Sequence, residues 1–288
     1  MNTTLPTHID TPRTLAHRFI VLFIVVVPFL AVLFAIWRVW NRWVDWYDIA
    51  LMIGLYVLIT MGGVTIGLHR FFTHRSFKTV PAIKYILGAL AEMSLQGGIV
   101  PWVADHRLHH QFSDKEGDLH SPTEGLWHAH VGWFIAGQSA NQKLYAPDLL
   151  RERWIMLMDK MWYVWWILSI FTIPFALGGW TGVLWAGLVR IFLVHHATWS
   201  INSICHTFGE RPFATSDTSG NVWWLAWVTF GEANHNTHHA FPASARHGTS
   251  FWNDPSFLAL TGLEKVGLVW DMILPKDPKY EEYMQRVH

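Results

Sequence analysis

The sequence predicts an all-α integral membrane protein with four transmembrane helices, and three observations support this prediction. Hydrophobic residues make up 51% of the 288 residues, whereas charged residues make up 15%, below the roughly 25% usual in soluble domains. The 19 tryptophans suit membrane–water interfaces, where an indole ring is buried while its N–H stays hydrated. Four apolar stretches, finally, each have the length that a bilayer requires.

The four stretches are expected to form two hairpins. We predict spans at about 19–40, 47–68, 161–178 and 181–205. The first lacks a small-residue cleavage site, which favours a membrane anchor over a signal peptide. Gly178, Gly179 and Trp180 make a tight turn between the last two. Residues 1–17 are expected to form a mobile tail, and residues 18–288 a single domain.

The segment from Ala82 to Trp102 is long enough to cross, but Lys84, Glu92 and Gln96 interrupt it. If it crossed, the histidines before it and after it would face opposite sides of the membrane. We therefore predict that it packs at the interface without crossing. Residues 69–160 and 206–288 then form a helical cap on the cytoplasmic face.

Composition excludes several classes of function. The formal net charge is zero, which gives no argument for nucleic-acid binding. The single cysteine, Cys205, excludes both an internal disulfide and a thiolate metal site. Arg190 lies inside the last predicted span. It either has a buried partner at a functional site or extends to the interface, and the sequence leaves both readings open.

Histidines recur with one spacing, His-x-x-His-His, at 106–110 and again at 235–239. On a helix, positions i, i+3 and i+4 fall within an arc of roughly 100°, so each set can serve one metal or bridge two. His69 and His74 are five apart, which places them roughly 140° apart on a regular helix and predicts a helix end there. Neutral imidazole is a good ligand for Fe, Zn, Cu and Ni.

Other metal architectures fit less well. A soluble di-iron carboxylate protein needs two Glu-x-x-His pairs, and only Glu232 with His235 provides one. The His-Glu-x-x-His motif of metalloproteases is absent. A bis-histidine haem protein would not explain adjacent histidine pairs. An all-histidine site for two metals at the membrane surface remains.

This pattern resembles the membrane fatty acyl desaturases, specifically the stearoyl-CoA desaturase-like, delta-9 branch. The histidine motifs alone would also admit hydroxylases, but other stretches are similar to the family as well. The stretches that carry the resemblance are 67–70 with 74–77, 105–110, 117–122, 130–133, 197–203 and 231–242.

The resemblance implies a cytoplasmic cap that holds two non-haem irons. The nine histidines that match the family's ligands are His69, His74, His106, His109, His110, His206, His235, His238 and His239, and Asn202 matches the residue that holds a metal-bound water. His120 and His130 match family positions that are not ligands, and His195 and His196 are left out of the site. Gln96, Trp102 and Thr198 match residues that shape a kinked acyl tunnel.

The implied reaction uses O2 and two electrons to insert a cis double bond, at the 9,10 position, into a saturated acyl chain during unsaturated fatty acid biosynthesis. Acyl-CoA is the expected donor, although Ala104, Gly137 and Gln138 replace the basic residues that contact CoA in the animal enzymes. Electrons are expected from a separate ferredoxin, rubredoxin or cytochrome b5 type of partner with its reductase. The expected location is the bacterial plasma membrane.

Alternatives remain at this point. A hydroxylase, an acetylenase, a decarboxylase or a desaturase of acyl-phospholipids would use the same scaffold. A non-enzymatic protein that stores metal or carries haem is the competing class.

Overall fold

A computed structural model describes residues 8–10, 14–40 and 44–285, and helices dominate it. Within these residues, three helices are long and apolar enough to cross a membrane: Arg18–Arg38, Trp46–Thr73 and Trp162–Cys205. The predicted tail, 1–17, lies largely outside the described residues. Its residues Ile9–Asp10 form strand β1, which pairs antiparallel with β3 at Ser139–Ala140.

Thirteen α-helices are described. They are α1 Leu15–Trp40, α2 Trp46–Val57, α3 Pro81–Glu92, α4 Ile99–Phe112, α5 Trp133–Ala136, α6 Gln142–Tyr145, α7 Arg153–Lys160, α8 Trp162–Ile167, α9 Ile173–Gly182, α10 Arg190–Ser200, α11 His235–Ala240, α12 Pro255–Lys265 and α13 Pro278–Gln285. Wider turns, in which hydrogen bonds reach five residues back, lie at Leu58–Thr73, His128–Gly132, Leu168–Thr172, Val183–Val189 and Ile201–Cys205. Short 3₁₀ turns lie at Pro122–Glu124, Leu149–Arg151 and Phe251–Asn253. Strand β2, Lys78–Thr79, pairs antiparallel with β4, Val269–Trp270.

The second apolar helix is longer than predicted. Asp45 caps it, since its Oδ1 accepts the backbone N–H of Asp48 at 2.9 Å. It then continues to Thr73, five residues beyond the predicted span of 47–68. The helix does not stop where apolar residues stop, because the polar residues of its last turn are buried against partners in the cap. Arg70 is fully buried there.

Close packing fixes the direction in which this helix enters the cap. Gly63 lies against the backbone of α3, and a Cβ on it would come within 2.4 Å of the Leu90 carbonyl oxygen. Any larger residue at this position would push the two helices apart. Their contact therefore sets where His69 stands relative to the segment that precedes α4.

The last apolar stretch runs for 44 residues and breaks at Gly179, where φ is +60°. The two halves fold back on one another, since a Cβ on Gly187 would meet the Ile170 carbonyl oxygen at 2.2 Å. Arg190 joins them, because its guanidinium donates to the Ser169 hydroxyl at 2.7 Å and to the Ala186 carbonyl at 2.7 Å. Arg190 is fully buried. Its side chain therefore holds partners inside the protein and does not extend to the interface.

The predicted interfacial segment, 82–102, forms two helices. α3 ends at Glu92, and a turn with φ of +59° at Leu95 and +98° at Gly97 separates it from α4. This segment is not among the three long apolar helices. Helix α4 then passes through the centre of the cap, where Val103, Ala104 and Leu108 are fully buried.

Candidate metal centre

All nine histidines that the sequence singles out lie together in the cap, in two groups. The ring nitrogens within each group all lie within 4.8 Å of one another. One group, the five-histidine group, contains His69, His74, His106, His110 and His238. The other, the four-histidine group, contains His109, His206, His235 and His239.

Each His-x-x-His-His motif is divided between the two groups. On α4, His106 and His110 face the first group while His109 faces the second. On α11, His238 faces the first group, and His235 with His239 faces the second. Each of these two helices therefore carries candidate ligands for both groups, as is required if each histidine motif bridges two metals.

The remaining ligands come from helix ends. The helix that carries His69 ends at Thr73, and the backbone N–H of His74 donates to the His69 carbonyl at 3.1 Å. The predicted helix end is therefore confirmed, and the wider last turn brings the two rings to 4.8 Å between centroids. His206 directly follows the last wide turn of the final apolar helix, Ile201–Cys205.

Aspartates orient three of the four rings in the four-histidine group. The Nδ1 atoms of His109, His206 and His239 lie 3.0, 2.9 and 2.9 Å from Asp118, Asp114 and Asp217 respectively. A carboxylate accepts a hydrogen bond, so each of these Nδ1 atoms carries the proton and each Nε2 keeps a free lone pair. The Nε2 atoms of His206 and His239 each lie 3.0 Å from Nε2 of His235.

Among the described residues, one carboxylate lies close to the rings of the five-histidine group, and it is shared with an arginine. Glu232 Oε2 lies 2.5 Å from Nδ1 of His69, and Glu232 Oε1 accepts a hydrogen bond from Nε of Arg70 at 3.0 Å. Arg70 also pairs with Asp254 at 2.8 Å. His69 and Arg70 hold the pKa of Glu232 well below its ordinary value, although burial acts in the opposite direction.

The ring spacing fits metal ions. Two nitrogens bound at right angles to one metal, each at about 2.1 Å, would lie ~3.0 Å apart. The Nε2 atoms of His69 and His110 lie 3.0 and 2.9 Å from Nε2 of His238. Lone pairs that face each other at this distance repel unless a cation lies between them. Within the described residues, Nε2 of His74 and of His109 are buried without a hydrogen-bond partner.

Protonation states also favour cation binding. Burial lowers the pKa of His74, His106, His110, His235, His238 and His239 well below the ordinary value, so these rings are neutral at pH 7. Burial acts in the same direction on His109, but the adjacent Asp118 carboxylate outweighs it and leaves that pKa raised. Crowding nine imidazole side chains in this way has no packing benefit apart from a ligand.

A cavity borders both groups and is lined by two of the three predicted tunnel residues, Trp102 and Thr198. Asn202 lines it together with His69, His106 and His235. Gln96 Nε2 donates to the Thr198 hydroxyl at 2.6 Å, and the Trp102 indole N–H donates to Gln96 Oε1 at 3.4 Å. Trp102 also stacks on His106, with centroids 5.0 Å apart and planes 17° apart. A neighbouring cavity shares Trp102, Thr198 and Asn202 with this one and is lined by Gln96 as well. The structure therefore brings the three predicted tunnel residues and Asn202 together at two adjoining cavities beside the rings.

The other histidines lie in different places. His120 packs on His109 with centroids 4.2 Å apart, which places it behind a candidate ligand. His130 bonds with Ser203 and His196, and His195 Nε2 bonds with the Leu95 carbonyl at 3.0 Å. None of these four histidines belongs to the five-histidine or the four-histidine group among the described residues.

Sequence reasoning missed the residues that surround the rings. Asp114, Asp217 and His247 were not singled out, and Glu232 was considered only as part of a carboxylate motif. His247 is buried, with Nδ1 3.2 Å from Glu232 and its ring 4.7 Å from that of His238. Asp114 follows the second histidine motif by only four residues, which is a usable signal. Asp217 lies in a loop remote in sequence from its partner, so spacing gives no signal for it.

Comparisons with known proteins identify the family of this chain. A profile of the family described as fatty acid desaturase matches residues 46–257. Over 272 residues, 87% of this chain and 84% of the relative, the sequence is 42% identical to a hex-5-enoyl-[acyl-carrier protein] acetylenase of Moorena producens. It is 38% identical over 226 residues, 77% and 71% of the two chains, to an sn-1 stearoyl-lipid 9-desaturase of Synechocystis. It is also 38% identical over 234 residues, 79% and 76%, to the delta-9 acyl-lipid desaturase 1 of Arabidopsis thaliana. The chain therefore belongs to the fatty acid desaturase family, whose members are oxidoreductases that act on fatty acyl chains.

Proposed function

We propose that this chain is an O2-dependent di-iron desaturase that inserts one cis double bond into a saturated fatty acyl chain. The observation that supports this most strongly is the division of nine histidines into two groups beside one cavity. The five-histidine and four-histidine groups would each hold one iron, and Asn202 would hold a metal-bound water. Each iron then has four or five imidazole ligands, a set that suits non-haem iron.

The protein and the metals have separate roles. When bound, the irons supply the oxidising power that removes two hydrogens from an unactivated chain, with O2 and two electrons consumed and water formed. The chain's own residues hold the rings in one tautomer through Asp114, Asp118 and Asp217. Burial of the rings excludes bulk water from the reacting carbons.

The tunnel residues would set the position of the double bond, which we place at 9,10. The Gln96–Thr198 hydrogen bond joins the turn before α4 to α10, and Trp102 contacts His106 directly. Trp102 thus connects the bend of the acyl tunnel to the candidate ligand His106. The distance between the bend and the metals is therefore fixed along the acyl chain. Thr198→Val keeps the side-chain shape but removes the acceptor of this bond. We expect it to spread the product over neighbouring double-bond positions without loss of iron.

The topology proposed here has four crossings, with the last apolar stretch crossing twice around Gly179. The cap then lies on one face, which we assign to the cytoplasm of a bacterial plasma membrane, where a separate ferredoxin, rubredoxin or cytochrome b5 type of donor would dock. Cysteines placed at 78 and 115 after removal of Cys205 test this with membrane-impermeant labels. Labelling of the two positions from opposite sides would rule out the shared site.

A second candidate is acetylene formation, and the 42% identical acetylenase relative favours it. The same site would remove two hydrogens from a chain that already holds a double bond. The products differ in mass by two hydrogens and in their cleavage fragments, so mass spectrometry of the acyl chains separates the two candidates.

Expression in a host that cannot make unsaturated fatty acids tests the proposal. We expect the wild-type chain to restore growth and to yield one monounsaturated isomer. The matched control is the His109→Ala protein, which should be present in the membrane at the same level but inactive. The proposed function would be contradicted if a host that expresses the wild-type protein, with its full metal complement, contained only saturated lipids.

A further inference from the structure

An open groove lies on the outer side of the turn that precedes α4. Gly97 and Pro101 line both this groove and the cavity that Gln96, Trp102 and His106 line. No atom would lie within 4 Å of a Cβ on Gly97, so nothing fills the space at this point. The groove and the cavity therefore meet at the residues that separate α3 from α4.

The groove has apolar walls and a cationic rim. Met156 and Leu157 of α7 line one side, and Ile20, Trp162 and Trp166 line the other. The rim is formed by Arg153 and Lys160, both exposed. Neither cation forms an ion pair within the described part of the chain.

The other charged residue in the groove is already engaged. Asp159 accepts the backbone N–H groups of Ile99 and Val100 at 2.8 and 3.0 Å, so its carboxylate is directed to the start of α4. The groove thus offers two unpaired cations, which fit a ligand that carries negative oxygens.

The position of the groove indicates where such a ligand comes from. Ile20 and Trp166 lie inside apolar helices that begin at Arg18 and Trp162, whereas Arg153 and Lys160 precede the second of these. Trp154, Leu157 and Tyr163 are exposed nearby, as apolar side chains are at a membrane interface. Basic side chains at that depth attract anionic lipid headgroups.

We propose that this groove binds the phosphate of a phospholipid that carries the acyl substrate, with Arg153 and Lys160 as its ligands and the acyl chain passing Gly97 into the cavity. The assignment rests on the proposed function and names the substrate class. It differs from the acyl-CoA donor expected from the family resemblance. A phospholipid already lies with its phosphate at the interface, whereas a carrier-bound chain would have to arrive from water.

The test uses the iron-loaded protein in phosphatidylcholine nanodiscs, with stearoyl-phosphatidylglycerol as substrate and a reduced ferredoxin system as electron donor. We expect the double variant Arg153→Gln/Lys160→Gln to raise KM by about 10- to 100-fold with little change in kcat, since two charge-assisted hydrogen bonds are lost. The control double variant, Lys265→Gln/Lys276→Gln, makes the same change in charge outside the groove. It should stay within about twofold of wild type.

A second readout is independent of turnover. Spin-labelled phosphatidylglycerol should show a motionally restricted fraction with wild-type protein that falls in the Arg153/Lys160 variant. An unchanged KM and an unchanged restricted fraction would overturn the inference while the desaturase proposal stands. If the Arg153/Lys160 variant loses activity only toward a stearoyl-acyl-carrier-protein substrate, the inference is also overturned, because the groove would then bind the phosphate of the phosphopantetheine. A wild-type protein that binds the lipid but oxidises no acyl substrate would instead contradict the proposed function.

Discussion

The five-histidine group and the four-histidine group use the same side chain but are supported differently. Three aspartates lie behind the four-histidine group, and each contacts Nδ1 of one ring. The five-histidine group has one glutamate, and that glutamate also neutralises a fully buried arginine. Both groups draw on α4 and α11, so the difference lies in what surrounds the rings.

This difference separates two roles for buried carboxylates. Behind the four-histidine group they add negative charge and fix tautomers, which raises affinity for a cation. Behind the five-histidine group, Glu232 belongs to an ion-pair network with Arg70 and Asp254 that joins the end of the second apolar helix to the start of α12. We therefore expect the first set to control metal binding and the second to control stability.

Loss of a ligand from the four-histidine group should have the largest effect. His206→Ala should lower turnover by more than about 100-fold, as fully as His109→Ala, although His206 lies outside the three histidine motifs. His120→Ala is the matched control, since His120 packs beside His109 without joining either group. Near-normal turnover in the His206 variant would remove it from the metal site.

Glu232→Gln should act mainly on stability. It leaves the Arg70 guanidinium with one carboxylate in place of two, and loss of a buried partner costs on the order of 3 kcal/mol. We expect a lower Tm for the metal-free protein, with Glu264→Gln, which changes an exposed residue, as the control. A Tm equal to that of wild type would show that the network is not structural.

Asp217→Asn should weaken metal binding and leave the fold intact. The change removes the charge behind His239, and a loss of this kind lowers metal affinity by about 10- to 100-fold. Ser219→Ala is the control, because it removes another hydrogen bond to Asp217 without contact with His239. Competition with a chelator measures the affinity. Equal affinity in the two variants would count against the role assigned to this carboxylate.

The pH dependence of stability does not distinguish the groups, because it acts on α4, which serves both. Burial, together with Asp159, raises the pKa of Glu92 to about 9, and Glu92 accepts the Ile99 N–H at the start of α4. A carboxyl with a raised pKa binds its proton more tightly in the folded state than in the unfolded state. Its contribution to the free energy of unfolding is therefore present at low pH. That contribution is lost as pH rises from ~4.3 to about 9. The thermal midpoint of wild type should therefore fall between pH 5 and 8, and Glu92→Gln should reduce the fall. If the thermal midpoint fell equally with pH in wild type and in Glu92→Gln, the role assigned to Glu92 would be contradicted.

The sequence predicts the rings better than their surroundings. Spacing of i, i+3 and i+4 places three imidazoles on one face of a helix, and the structure does bring all nine together. Spacing cannot divide His109 from His106 and His110, because that division depends on which neighbouring helix each ring meets. Asp217 and Arg70 act across long stretches of sequence, and such partners are visible only after folding. The polar last turn of the second apolar helix, which follows the predicted span, depends on the same kind of partner, since burial of polar residues against one another leaves no apolar signal.

Metal content per chain tests the two-group account most directly. Plasma emission analysis of protein expressed with iron should give two equivalents for wild type. It should give one for His235→Ala/His239→Ala, which removes two ligands from the four-histidine group, and one for His74→Ala/His110→Ala, which does the same to the other. Two equivalents in either double variant, or one in wild type with full activity, would contradict the assignment of one metal to each group.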